Sequence, residues 1–161
     1  MILPNYDKTL QKISNDKEIY IIEENPDILV KICENNEKTK NEIKIQNISN
    51  KIISCPKIID HFTHDNKIYI LMDKIKGKTL YDLYGCQKKN IPDIIWKDIR
   101  KIIYTLYYNN IHYIDISPFN FMVDDLGKVY IIDFGDAYKC KVNWFLKDFL
   151  DGENSWNPDF E

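Results

Sequence analysis

The spacing of apolar residues changes character once along this chain, and that change limits the fold more than any other feature. Through residue 73 the apolar residues come in short runs rich in Ile, Val and Tyr: Lys12–Ser14, Glu18–Glu23, Asp27–Cys33, Lys57–Phe62 and Lys67–Asp73. Asn, Asp and Pro separate them, and runs of this kind are read as antiparallel strands. From Ile91 to Asn109 the spacing becomes helical, with Pro92 at the first turn and Ile95, Ile99, Ile102 and Leu106 three or four residues apart. Beyond it, Phe121–Val123 and Lys128–Ile132 flank Asp124-Asp125-Leu126-Gly127 and predict a hairpin. Two shorter helices complete the pattern. Asn35–Asn50 carries Ile43, Ile45 and Ile48, suited to a surface helix on the sheet, and Val142–Leu150 places Val142, Phe145, Leu146 and Phe149 on one face. A strand-rich half, a connector and a helix leading into a hairpin predict two small lobes with a cleft between them.

With 161 residues, 44% of them hydrophobic, the chain suits one domain with one filled core. A net charge of -3 gives no basic excess for nucleic acid or an anionic membrane. The four cysteines, Cys33, Cys55, Cys86 and Cys140, form no Cys-x-x-Cys pair and are read as reduced structural thiols. With no signal-like start and no apolar run of membrane-spanning length, a cytoplasmic protein is expected.

The chemistry lies between the long helix and the end of the hairpin, in Tyr113-Ile114-Asp115-Ile116-Ser117-Pro118-Phe119-Asn120 and in Asp133-Phe134-Gly135. Asp-x-x-x-x-Asn, a hairpin and Asp-Phe-Gly resemble the catalytic and metal-binding loops of protein kinases and their relatives. The resemblance implies an α+β, protein-kinase-like two-lobed fold. Its N-lobe (1–73) would hold a five-stranded antiparallel sheet plus one helix, 74–84 would be hinge and connector, and 85–161 a strongly truncated helical C-lobe. It also implies ATP and Mg²⁺ as cofactors, since phosphoryl transfer is mainly positioning and charge neutralisation. Asp115 would take the acceptor's proton, Asn120 would ligate one Mg²⁺, and Asp133 would hold the metal bridging the phosphates.

The first half of the chain carries the rest of the resemblance. Lys31 ends Ile28-Leu29-Val30-Lys31, where the family places the lysine that contacts the α- and β-phosphates. Glu42, within Asn41-Glu42-Ile43-Lys44-Ile45, resembles its glutamate partner, with Glu37 as the competing choice. Met72 would line the back of an adenine pocket or simply belong to the core. Backbone groups of Asp73 to Ile75 would bind the base, and Gly77 with Thr79-Leu80 suits a bend and a new helix.

Departures from the family pattern narrow these expectations. The first strand loop, Ser14-Asn15-Asp16-Lys17, has no glycine. Tyr113-Ile114 replaces the usual His-Arg, so no activation-loop phosphate has an arginine to meet, and His112 is read as a packed helix-end residue. Ser117 stands where serine/threonine kinases often carry a lysine, and little chain follows Gly135. A minimal, atypical serine/threonine-type protein kinase fits best. The alternatives are a small-molecule kinase of the aminoglycoside or choline type, suggested by Ile132 to Ala137, and a nucleotide-binding pseudokinase. A protein substrate or partner is expected, and a homodimer through an uncovered face of the Ile95–Leu106 helix. The stretch Asn154–Glu161, with Trp156, Pro158 and Phe160, would cap the lower lobe or touch an acceptor, and Trp144 stands apart from it.

Overall fold

The computed structural model describes residues 1–141 and 144–159. Val142 of the expected last helix and Phe160 of the expected cap lie outside the described residues.

The strand-rich half forms one antiparallel sheet in the order β1-β2-β3-β4-β6-β5, from β1 (Ile2–Leu3), β2 (Lys8–Lys12), β3 (Ile19–Ile22), β4 (Asn25–Glu34), β5 (Ile58–His64) and β6 (Lys67–Asp73). The five expected strands are there, with two-residue β1 added at the edge. One position is corrected. The first of the five was expected at Lys12–Ser14, whereas the ladder ends at Lys12, because buried Leu10 pairs opposite Ile22 while Ile13 is 46% exposed. At the other edge His64-Asp65-Asn66 makes a tight turn with positive φ at Asp65 (47°) and Asn66 (58°), residues that tolerate this region.

Alternation along β4 decides which residues can work in the cleft. Val30 and Ile32 join Leu10, Ile22 and Leu71 in a cluster on one face. Leu29, Lys31 and Cys33 take the other face, toward α1 (Glu37–Ser49). The Asn36 side chain accepts the Thr39 amide at 2.9 Å and starts that helix, which buries Glu42, Ile43, Ile45 and Gln46.

After β6 the chain is more than a bend. β7 (Gly77–Thr79) crosses over to pair with β9 (Phe121–Asp124), whose hairpin partner is β10 (Val129–Ile131). Gly77 is required here for space: a Cβ on it would lie 2.2 Å from the Val123 carbonyl oxygen. Thr79 then begins α2 (Leu80–Tyr84) with a reciprocal cap to Asp82.

α3 (Asp93–Tyr108) follows the predicted period and buries Ile95, Trp96, Ile99, Ile102, Ile103 and Leu106. β8 (Ile111–His112) leaves it and pairs with β11 (Tyr138–Lys139), so His112 is buried between the Tyr138 and Phe145 rings. The expectation of an uncovered α3 face is not met. α4 (Trp144–Leu150) sends fully buried Leu146 and Phe149 into the same core. Trp156 packs against Trp96 at 4.8 Å and Phe121 at 5.5 Å between ring centroids. Trp156 is therefore a packing residue. Trp144, 66% exposed, is not part of the cap.

Candidate active site

The cleft between sheet and helices holds a cavity of about 370 Å³ whose wall includes Lys31, Glu42, Met72, Asp73, Ile75, Asn120 and Asp133. Seven of the eight residues singled out from sequence thus share one space. The eighth, Asp115, is exposed beside it and shares a small crevice with Asp133.

Three charged residues from distant parts of the chain make the contact on which the site turns. Lys31 Nζ lies 2.5 Å from Glu42 Oε1 and 3.3 Å from Asp133 Oδ1. Lys31 is there because β4 turns it toward α1, and Glu42 because it sits on the buried face of that helix. Glu37, the competing choice, is 90% exposed and pairs instead with Lys40. Burial alone would lower the Lys31 pKa, but the Glu42 and Asp133 carboxylates outweigh it and raise the value. Burial would likewise raise the Asp133 pKa; Lys31, Lys17 and the Gly135 amide override it and bring the value to about 2. The three form a partly buried group, with Glu42 on the inside and Asp133 toward the open side of the cavity.

Asp133 is held in an unusual backbone geometry, with φ of 60°, a region non-glycine residues occupy at some energetic cost. Its neighbours supply the restraint. Phe134 is fully buried and meets Tyr113 edge to face at 5.6 Å. The Tyr113 hydroxyl donates to the Ile132 carbonyl at 2.6 Å, and burial pushes that hydroxyl's pKa well up. The tyrosine that replaces the family histidine therefore acts as a strut under the loop that carries Asp133. Asn41 adds a tie, donating to the Ala137 carbonyl at 2.8 Å. Sequence analysis missed both supports, since nothing in a lone Tyr or Asn announces such a partner.

Asn120 is buried and donates from Nδ2 to the Asp115 carbonyl at 3.1 Å, while the Ile132 amide donates to its own carbonyl at 2.9 Å. These bonds fix its side chain and couple the segment from Asp115 to Asn120 to the strand before Asp133. The side-chain oxygen Oδ1 is the atom suited to a hard cation. One amide oxygen and one carboxylate fit Mg²⁺, which keeps much of its shell as water and phosphate. Among the described residues there is no cluster of three or more His, Cys, Asp or Glu arranged to hold a metal by itself.

The apolar part of the cavity lies further along the same strands. Leu29 stands opposite Met72 in the β4–β6 ladder, two residues from Lys31 on the same face. Ile19, Met122 and Ile132 complete it. The Asp73 amide donates to the Lys57 carbonyl at 3.0 Å and the Lys74 amide to the Asp27 carbonyl at 2.9 Å. A planar apolar group with polar edges fits between these side chains, with the backbone of Asp73 to Ile75 at its rim. The site also contains Lys17, not foreseen from sequence, whose Nζ is 2.8 Å from Asp133 Oδ2.

Comparison with known proteins agrees with this geometry. The family model described as the protein kinase domain matches residues 12–152. Sperm motility kinase 3A of Mus musculus is 32% identical over 101 residues, 61% of this chain and 19% of the mouse protein. A probable serine/threonine-protein kinase of Clostridium perfringens is 29% identical over 122 residues, 68% of this chain and 18% of its own length. The EKC/KEOPS complex subunit BUD32 of Enterocytozoon bieneusi is 30% identical over 117 residues, 65% of this chain and 54% of that protein. The chain thus spans about a fifth of the first two relatives and about half of the third. With the matched region running from β2 to beyond α4 and enclosing the whole of the cleft, the chain belongs to the protein kinase family.

Proposed function

We propose that this chain is an ATP- and Mg²⁺-dependent phosphotransferase, a protein kinase that acts on Ser/Thr hydroxyls of a protein acceptor. The observation that carries the proposal is the meeting of Lys31, Glu42 and Asp133 in one cavity with Asn120, next to Asp115. A merely structural cleft has no use for a buried lysine between two carboxylates, an arrangement costly to desolvate.

Glu42 holds the Lys31 ammonium toward the cavity, where it would meet the α- and β-phosphates. Asn120 and Asp133 would hold Mg²⁺, which when bound offsets the phosphate charge. Asp115, exposed beside Asp133, is open to an incoming hydroxyl and would orient it and take its proton. The base would lie between Leu29, Met72, Met122 and Ile132. Because the Asp73 and Lys74 amides are engaged within the protein, its edge would be read by carbonyls and by the Ile75 amide. Ser/Thr specificity is supported by the Clostridium relative, a probable serine/threonine-protein kinase. A cytoplasmic setting suits four free cysteines and supplies both cofactors.

The test is Mg·ATP turnover by the wild type, Asp115→Ala and Asp133→Ala, with phosphate transfer scored on protein and on small alcohols. Loss of transfer in both variants is expected, with protein as the preferred acceptor. Equal turnover in all three would overturn the assignments, and preference for small alcohols would favour a small-molecule kinase.

A further inference from the structure

The tip of the first hairpin, between β2 and β3, performs a task that its sequence does not suggest. A loop that closes over phosphates ordinarily does so with backbone amides, and glycines allow the close approach. Ser14-Asn15-Asp16-Lys17 has none. Its backbone is turned on itself instead: the Lys17 amide donates to Ser14 Oγ at 3.1 Å, the Lys17 carbonyl accepts from the Ile19 amide at 2.9 Å, and the Ile13 amide closes onto the Ile19 carbonyl at 3.0 Å.

What the loop delivers is a side chain. Lys17 crosses the mouth of the cavity and reaches Asp133, 116 residues away in sequence, leaving the carboxylate with Lys31 on Oδ1 and Lys17 on Oδ2. The other place from which a kinase presents a cation to the terminal phosphate is the catalytic loop, and Tyr113 to Asn120 contains no Lys or Arg. Lys17, which lines the cavity and meets Asp133, is a cation within reach of the outer end of a triphosphate lying between Lys31 and Asp133. Lys17 is 59% exposed, so its ammonium can leave the carboxylate without a large desolvation cost.

We propose that Lys17 is a terminal-phosphate-binding residue, which rests on Asp133 in this structure and would move to the outermost phosphate of a bound nucleotide, leaving Asp133 with Asn120 to hold the metal. This inference rests on the nucleotide-binding reading above. It assigns to a side chain on the first hairpin the charge that the glycine-free loop and Ser117 do not provide.

The experiment compares binding of ADP and of the β,γ-imido analogue of ATP, each with Mg²⁺, to the wild type, Lys17→Gln and Lys17→Arg by calorimetry, with melting temperatures of the free proteins as a folding control. Lys17→Gln is expected to lose about tenfold or more in affinity for the triphosphate, the effect of one charge-assisted hydrogen bond, with ADP affinity changed less than about twofold. Lys17→Arg is expected to retain the preference. Equal losses for both nucleotides, or no loss for either, overturn the role of Lys17. A wild type that binds neither nucleotide overturns the nucleotide-site reading itself, and the two failures are thereby distinguished.

Discussion

Gly77→Ala tests the junction between the two halves of the molecule most directly. The added Cβ would lie 2.2 Å from the Val123 oxygen and 2.7 Å from its carbon, both backbone atoms that no rotamer change can move. Restoring ordinary contact requires β7 to retreat from β9 by roughly 1 Å, which stretches ladder hydrogen bonds past useful length. The pairs Gly77↔Asp124, Lys78↔Val123 and Thr79↔Met122 would loosen together. Overpacking of this kind costs about 1–3 kcal/mol, and each lost hydrogen bond about 1 kcal/mol more. We expect a total near 3 kcal/mol by urea denaturation, and a melting temperature lower by roughly 6–12 °C for a chain of this size. Gly127→Ala is the matched control. It has open space around the new Cβ but a φ of 82°, so backbone strain alone should cost about 1 kcal/mol. A Gly77→Ala protein within about 0.5 kcal/mol of the wild type, or less perturbed than Gly127→Ala, would refute the steric argument.

Two further predictions concern the charged triad. Glu42→Gln leaves Lys31 in a buried site with part of its compensation removed, and should destabilise the fold by about 1–3 kcal/mol in the same assay. Glu37→Gln, on the exposed side of α1, should stay within about 0.5 kcal/mol; similar effects at the two positions would break the assigned pairing. The Asp133 carboxyl titrates near 2 in the folded protein, against 3.8 for an unperturbed group. A depressed folded pKa stabilises the fold above the unfolded value, and that contribution, about 2 kcal/mol by linkage, drains away as pH falls toward 2. The stability gap between wild type and Asp133→Asn should therefore be constant above about pH 5 and narrower by about 1 kcal/mol at pH 3. A gap that does not change with pH would show that Asp133 is not held ionised by its lysines.

Much of the candidate site was legible because the family motif restricts residue type and spacing together. Asp115, Asn120 and Asp133 followed from the resemblance of Asp-x-x-x-x-Asn, a hairpin and Asp-Phe-Gly to that motif, and Lys31 from the matching place at the end of an apolar strand. Preferring Glu42 to Glu37 rested on the resemblance, and the helix phase settled it: the buried side of α1 mixes Thr39, Glu42, Gln46 and Ser49 with Ile43 and Ile45, so apolar periodicity gave little purchase. Lys17 was illegible for a different reason. Its partner is 116 residues away, and a lysine in a polar turn has no local pattern that separates a functional position from a solvated one.

The sequence by itself determined the five main strands of the sheet, the helices that follow them, the later hairpin and their order, because strand and helix periods depend on neighbours within a few residues. It also determined the chemical groups of the cleft. Only the tertiary structure decided that β7 joins the lower hairpin, that Leu146, Phe149 and Trp156 cover α3, and that Tyr113 braces the loop of Asp133. Each of these depends on surfaces brought together from distant segments, where shape and the available hydrogen-bond partners choose among pairings that local spacing leaves equal.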